Sequence, residues 1–165
     1  MLKRPLMTRK IVALLAVLVC GDMARAAGRS TTAVALKIGA FKDGFRNCSR
    51  ETPQGITGFW QVSQSDVDKT DTALMLHLER TGLAKKLHDP PSSYGRQYLG
   101  YNRGKRRFIY VNAFLRLSGD ARSVYVRACD GGNLFWGIEY DVQSGLFGGL
   151  EINGVMGDPL EGLKL

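Results

Sequence analysis

From residue 94 onward, apolar and polar side chains alternate along the chain, and this alternation restricts the second half of the protein to β-strands. Turn-forming residues divide the alternating region at 102–105 and 141–145, so that neighbouring strands form hairpins. The predicted strands are 98–101, 107–114, 124–129, 135–140 and 146–153. The sequence therefore predicts a sheet of four to five sequential antiparallel strands.

One amphipathic helix precedes these strands. Residues 65–68 have the form of a capping box, with Ser65 as the predicted first residue of the box, and the helix is predicted over about 66–81. Val67, Leu74 and Leu78 recur on one helical face, and Gly82 supplies the C-terminal stop. Because this face must be buried on the sheet, we predict an α+β fold in which one helix packs on an antiparallel sheet.

Three segments of the second half carry a resemblance: YGRQYLGY at 94–101, IYVNAF at 109–114 and CDGGNLFWGIEYD at 129–141. They are similar to small exported proteobacterial proteins of uncharacterised function. This resemblance covers about the last 70 residues and implies export and strand structure, but no activity. In shape, one helix laid across a curved sheet also resembles the cystatin-like architecture, although the inhibitory motifs of that family are not found in this sequence.

Residues 1–26 have the pattern of a cleaved export signal. A basic start precedes an apolar run at 11–20 and an Ala-Arg-Ala triplet that ends at Ala26. The run is about half the length of a bilayer-spanning helix, and Asp22 follows it, so we expect no transmembrane helix after leader removal. We expect a periplasmic or secreted protein. In an alternative, Cys20 is lipidated, although Val19 is larger than the residue that lipoprotein processing prefers before the cysteine.

The rest of the chain fits a single domain. An irregular entry segment with short strands, 27–64, precedes the helix and sheet at 65–165. Two cysteines, Cys48 and Cys129, lie outside the leader, and an even pair in an exported chain predicts one disulfide. We therefore expect the bridge to hold the entry segment on the sheet.

Charge is unevenly distributed over the chain. The formal net charge is +8, but the leader contains five basic residues and one acidic residue, so the remainder carries only +4. Residues 85–127 have a net charge of +8, whereas 128–165 have −5. Basic side chains cluster at the predicted hairpin tip, which makes the tip a candidate site for an anionic ligand or an acidic protein. The candidate binding residues are Arg103, Lys105, Arg106 and Arg107. Alternatively, basic and acidic strands neutralise each other across the sheet.

Other functional classes have weaker support in the residues. Glu139 and Glu151 lie on adjacent predicted strands and form a candidate carboxylate pair for a small envelope hydrolase. No nucleophile frame, metal-ligand set or cofactor loop is recognisable, so we assign no catalytic residue, metal or cofactor. Aromatic side chains interleave with arginines in the strands, but such alternation is typical of sheet packing, and we expect no nucleic-acid partner.

These observations favour a small exported module that binds an envelope protein or an anionic ligand without transforming it, as an inhibitor or accessory protein does. The hydrolase with Glu139 and Glu151 and a polyanion-binding protein that uses Arg103 to Arg107 are the alternatives. The sequence predicts neither the oligomeric state nor the identity of the ligand.

Overall fold

A computed structural model describes residues 33–42, 45–115 and 123–155. One α-helix, α1, packs on one face of a mixed seven-stranded sheet, which confirms the predicted α+β class. The strands are β1 (Ala33–Ala35), β2 (Gly58–Trp60), β3 (Gly95–Arg103), β4 (Arg106–Phe114), β5 (Phe135–Asp141), β6 (Leu146–Phe147) and β7 (Glu151–Ile152). Residues 1–26, including Cys20, lie outside the described residues, and the leader and its processing stay predictions.

Helix α1 spans Gln64–Arg80, close to the prediction, but its capping box begins at Ser63 and not at Ser65. The Ser63 hydroxyl accepts a hydrogen bond from the Asp66 N–H (3.1 Å), and the Asp66 carboxylate accepts one from the Ser63 N–H (3.0 Å). The Ser63 hydroxyl also donates to the Asp66 carboxylate at 2.6 Å, and this bond, together with the one from the Ser63 N–H, lowers the pKa of Asp66. Ser63 is the cap because the helix begins at Gln64, so the hydroxyl of Ser63 is the one placed to accept from a free N–H group of the first turn. Gly82 ends the helical region with φ of +72°.

Strands β3 and β4 form the centre of the sheet, joined by a two-residue turn at Gly104 and Lys105. The order is β1-β3-β4-β5-β6, with β2 also paired to β3 and β7 to β5. All pairs are antiparallel except β1 with β3. The sheet has more than the four to five predicted strands for two reasons. The entry segment, which is predicted to contain short strands, contributes β1 and β2 to this sheet, and the last predicted strand is divided into β6 and β7.

The predicted strand at 124–129 is wrong. This segment is irregular, and side chains of the sheet take the place of a backbone ladder. The Gln97 amide donates to the Val124 carbonyl (2.7 Å) and accepts from the Val126 N–H (3.0 Å), while Asn112 donates to the Val126 carbonyl (2.8 Å). The predicted strand at 146–153 is interrupted at 148–150, which leaves the two short strands β6 and β7.

The sheet is buried on both faces. On one face, α1 packs against a core of strand side chains that includes Tyr98, Val111 and Trp136. On the other face, the entry segment supplies a second core, in which Phe41 and Phe45 pack against strand aromatic residues. Buried in this second core are Leu36, Phe41, Phe45, Leu99, Tyr101, Phe108, Tyr110 and Tyr125.

A disulfide joins Cys48 to Cys129, as the cysteine pair predicts, and spans 81 residues of sequence. On the helix side, a buried ion pair connects α1 to β3. Arg96, only 3% exposed, donates from Nε to the Asp71 carboxylate at 2.6 Å. In the part of the chain that the structure describes, no helix is long and apolar enough to cross a membrane.

Candidate functional site

A cavity of about 280 Å³ opens on the sheet face opposite α1. One wall is the irregular segment 51–54, and the opposite side is formed by β5, the glycine-rich connection after β6, and β7. Its lining residues combine carboxylates, an arginine, a buried tyrosine and exposed backbone. They are Glu51, Thr52, Pro53, Gln54, Arg103, Tyr110, Glu139, Gly148, Gly149 and Glu151.

The sheet register brings the two predicted carboxylates, Glu139 and Glu151, to this cavity. Gly137 of β5 pairs with Glu151 of β7, and Glu139 follows two residues later on the same face of β5. Diagonal neighbours across an antiparallel pair are typically about 7 to 8 Å apart. The two carboxylates therefore line one site, from adjacent strands, as their sequence positions indicate.

Arg103 is the predicted hairpin residue that reaches the cavity. Its Nη2 donates to both carboxylate oxygens of Glu139, at 3.1 and 3.2 Å. Its Nε donates to the Gln54 carbonyl at 2.9 Å, and its guanidinium lies over the Phe108 ring at 4.7 Å. Arg103 thus connects the hairpin tip to both sides of the cavity, and its charge is balanced by Glu139.

The other three hairpin residues do not line the cavity. Arg106 forms an ion pair with Asp141 of β5. Arg107 lies over the Trp60 ring, 3.6 Å from its centroid. Lys105 is exposed at the turn and has no carboxylate within 4 Å among the described residues. Arg103 and Arg106 are direct partners in the hairpin and both lie over the Phe108 ring, at 4.7 and 5.7 Å from its centroid. Each of these two guanidinium groups is paired with a carboxylate of β5.

Tyr110 forms the inner end of the cavity and is held by two side chains of the entry segment. Its hydroxyl accepts hydrogen bonds from Arg50 Nε (2.8 Å) and Asn47 Nδ2 (3.0 Å). The ring crosses directly over Gly137, where an added Cβ would lie 2.0 Å from the hydroxyl oxygen. A residue without a side chain at 137 is therefore required for Tyr110 to reach Arg50.

Arg50 is the centre of a polar network beneath the entry segment. Its Nη1 donates to Asn153 Oδ1 at 2.5 Å, and its Nη2 donates to Asn112 Oδ1. Among the described residues no carboxylate lies within 4 Å of this guanidinium. The guanidinium is thus held by three neutral oxygen atoms, two from β4 and one from Asn153, which follows β7.

Burial keeps the phenols around the cavity protonated. It raises the pKa of Tyr110, an effect that the nearby Arg50 guanidinium opposes. Burial also raises the pKa of Tyr101. The negative charge of Glu139 and the hydrogen bond between Tyr101 and the Glu139 carboxylate raise this pKa further. Glu139 is therefore engaged by both Tyr101 and Arg103, and the tyrosines act as hydrogen-bonding groups and not as bases.

The remaining two carboxylates of the cavity, Glu51 and Glu151, form no ion pair with any residue that the structure describes. The lining therefore carries three carboxylates and one guanidinium. Within the described ranges, no group of three or more histidine, cysteine, aspartate or glutamate side chains is arranged to hold a metal ion. The cavity is suited to hydrogen-bond donors and to a cationic group.

Sequence reasoning missed Glu51, Tyr110 and Arg50. One pattern did indicate the network: Asn112 interrupts the apolar run of β4 at a buried position, 1% exposed, where a polar residue needs partners. Arg50 and Glu51 lie two and three residues after Cys48, so the predicted disulfide also implies that they lie near the sheet.

Comparisons with protein-family models, with curated proteins and with solved structures find no match for this chain.

Proposed function

We propose that the protein is an exported, non-catalytic binding module of the cell envelope, periplasmic or secreted, and that the cavity is its binding site. The observation that carries this proposal is the pair of carboxylates, Glu51 and Glu151, that face the cavity without an ion-pair partner among the described residues. The predicted leader and the Cys48–Cys129 disulfide support the compartment.

The size and charge of the cavity favour a side chain of a partner protein as the occupant. A volume of about 280 Å³ lies just below the range of about 300 to 1,000 Å³ that is typical of small-molecule sites. A lysine or arginine side chain fits this space and supplies N–H donors to both carboxylates. Rigid strands on one side of the cavity limit the cost of ordering the site upon binding.

Single charge-removing variants test this site. We would immobilise oxidised residues 27–165 and capture partners from an envelope extract, with Glu51→Gln and Glu151→Gln beside the parent chain. Glu79→Gln is the matched control, because Glu79 is an exposed carboxylate on α1. Loss of one charge-assisted hydrogen bond weakens binding on the order of tenfold to hundredfold.

We expect one partner to be retained by the parent chain and by Glu79→Gln, and to be depleted with both cavity variants. Equal capture by all four proteins would place the binding surface elsewhere. Binding that is lost at high salt, and is also lost when Lys105 and Arg107 are replaced by serine, would instead assign the function to the hairpin and an anionic ligand.

Hydrolysis is a second candidate, favoured by one specific observation: Glu139 and Glu151 share the cavity. Inverting glycosidases place two carboxyl groups about 6.5 to 9.5 Å apart. The backbones of diagonal strand neighbours lie about 7 to 8 Å apart, so two glutamate side chains at such positions can adopt this separation. In this arrangement Glu139, engaged by Arg103, would activate water, and Glu151 would protonate the leaving group. A panel of chromogenic glycosides tests this function, with Glu151→Gln as the inactive control. No turnover above buffer by the parent chain would exclude it.

A further inference from the structure

The wall of the cavity is attached to the rest of the protein in an unusual way. Within the described residues, no backbone–backbone hydrogen bond joins 45–56 to the sheet, and the first such bond is from the Thr57 N–H to the Asn102 carbonyl at 2.9 Å. Side-chain contacts and the disulfide at Cys48 hold the segment instead. A segment held in this way opens more easily than a strand that is part of a ladder.

The other half of the disulfide lies in a segment of the same kind. Residues 123–131 have no helix or strand, and their carbonyls are held by side-chain amides of the sheet. The Asn153 amide donates to the carbonyls of Ala128 (2.8 Å) and Asp130 (3.2 Å), on either side of Cys129. The covalent bond therefore joins two irregular segments to each other.

Two buried asparagines couple these segments. Asn112 accepts from Arg50 through Oδ1 and donates through Nδ2 to the Val126 carbonyl. Asn153 likewise accepts from Arg50 and donates to the segment that carries Cys129. Because the same two side chains serve both segments, movement of one segment removes partners from the other.

Both Cys48 and Cys129 are exposed, so the disulfide is accessible to an external thiol. Exposed disulfides are more often labile or regulatory than buried ones. We propose that the redox state of Cys48–Cys129 controls the cavity: the oxidised form holds the wall formed by 51–54 against the sheet, and the reduced form releases this wall. This inference rests on the proposed function, since it concerns the regulation of the same site.

The chemical step is thiol–disulfide exchange with a dithiol reductant of the envelope. One thiolate of the reductant attacks a sulfur of the Cys48–Cys129 bond, forms a mixed disulfide and releases the other cysteine as a thiolate. The second thiol of the reductant then displaces the first cysteine. Two electrons pass to the protein, which ends with two thiols, and the reductant ends as a disulfide.

Hydrogen exchange followed by mass spectrometry tests the wall without any ligand. The oxidised protein would be compared with the same protein in dithiothreitol, and with a Cys48→Ser/Cys129→Ser variant with and without the reductant. Near the bridge, the amides of Asn47, Val126 and Gly154 donate hydrogen bonds to side chains. We expect exchange of these three amides to rise on the order of tenfold upon reduction, while α1 stays protected. The serine variant should show the fast exchange in both conditions.

Two results would overturn the inference. Unchanged exchange of these three hydrogen-bonded amides would show that side-chain contacts alone hold the wall. Loss of protection in α1 and β4 as well would show that the bond stabilises the whole domain and does not control one wall. Capture by the reduced protein separates this inference from the proposed function. If the wall opens and the partner is still retained, the cavity is not the binding site, whereas redox control of the wall stands.

Discussion

Replacing Asp71 with asparagine removes the negative half of the ion pair between α1 and β3. The guanidinium of Arg96 is 3% exposed and uses two nitrogens for Asp71, at 2.6 and 3.3 Å. Its third nitrogen, Nη1, donates to the carbonyls of Pro91 (3.0 Å) and Tyr94 (2.7 Å). The Asp71→Asn variant therefore keeps the shape of the site but leaves a buried positive charge without a counter-charge.

The expected cost follows from the burial of the two partners. Removing one partner of a buried ion pair typically costs about 3 to 5 kcal/mol. The Asp71 side chain is 24% exposed, so water partly solvates the vacated position, and asparagine retains one oxygen acceptor. We therefore expect the lower end, about 3 kcal/mol in the free energy of unfolding. In a domain of this size the melting temperature falls by roughly 10 to 15 °C.

Urea unfolding followed by circular dichroism measures this loss on oxidised protein. Asp68→Asn is the matched control, because Asp68 is an exposed carboxylate of the same helix that accepts only from Gln64 (2.9 Å). The control should lie within about 0.5 kcal/mol of the parent. The Tyr98 hydroxyl also donates to Asp71, so the compensating variant replaces all three partners: Asp71→Leu/Arg96→Met/Tyr98→Phe. This triple variant buries neither a charge nor an unpaired hydroxyl, and we expect much of the stability to return.

A loss below about 1 kcal/mol for Asp71→Asn would refute this reasoning, since it would mean that Arg96 is solvated or finds another acceptor. A triple variant that is less stable than Asp71→Asn would also contradict it. In that case the ion pair would be stabilising in its own right, and the penalty would not come from an uncompensated charge.

Two further predictions concern Gly137 and the buried tyrosines. Gly137→Ala should destabilise the domain by about 2 to 4 kcal/mol in urea unfolding, because the new methyl group displaces the Tyr110 hydroxyl from Arg50. Gly149→Ala is the control and should have little effect, because its methyl group would meet only a carboxylate oxygen at 4.0 Å. Equal losses of stability in the two variants would contradict the close approach of Tyr110 to Gly137. Burial raises the pKa of four tyrosines above the ordinary value of about 10. The folded state therefore holds these phenol protons more tightly than the unfolded chain, and the free energy of unfolding is unaffected below about pH 10 but falls as the pH rises above this value. They are Tyr98, Tyr101, Tyr110 and Tyr125. In an alkaline titration, the ultraviolet absorbance of these tyrosinates should therefore appear together with loss of the circular dichroism signal. Ionisation of all six tyrosines near pH 10 in a protein that stays folded would show that these phenols are solvated.

Local patterns in the sequence predicted the elements whose contacts are local. The helix is recognisable from the spacing of Val67, Leu74 and Leu78, and the β3–β4 hairpin from alternation on either side of Gly104. The irregular segment at 124–129 was predicted as a strand because its residue types suit one. Its true partners are side-chain amides distant in sequence, such as Asn112, and no periodicity within the segment reveals them.

The candidate site was likewise predictable only for those residues that local patterns identify. Alternation along β5 placed Glu139 on one face, and the charge at the hairpin tip identified Arg103. The cavity, however, exists only because the entry segment lies over that face with Glu51. That placement depends on a disulfide across 81 residues and on buried polar contacts, which the sequence of the segment alone does not specify.

The two-sided burial of the sheet also sets an order for the folding of the chain. The entry segment is synthesised first, but the surface it covers is built from β3, β4 and the region around Tyr125, which come later. Pairing of such distant segments is slow, because a long loop must close before contacts compensate for it. Until Cys48 meets Cys129, the aromatic face that includes Tyr101 and Phe108 stays open to solvent and to other chains. We therefore expect the helix and the hairpin to form early and the cavity to be completed last.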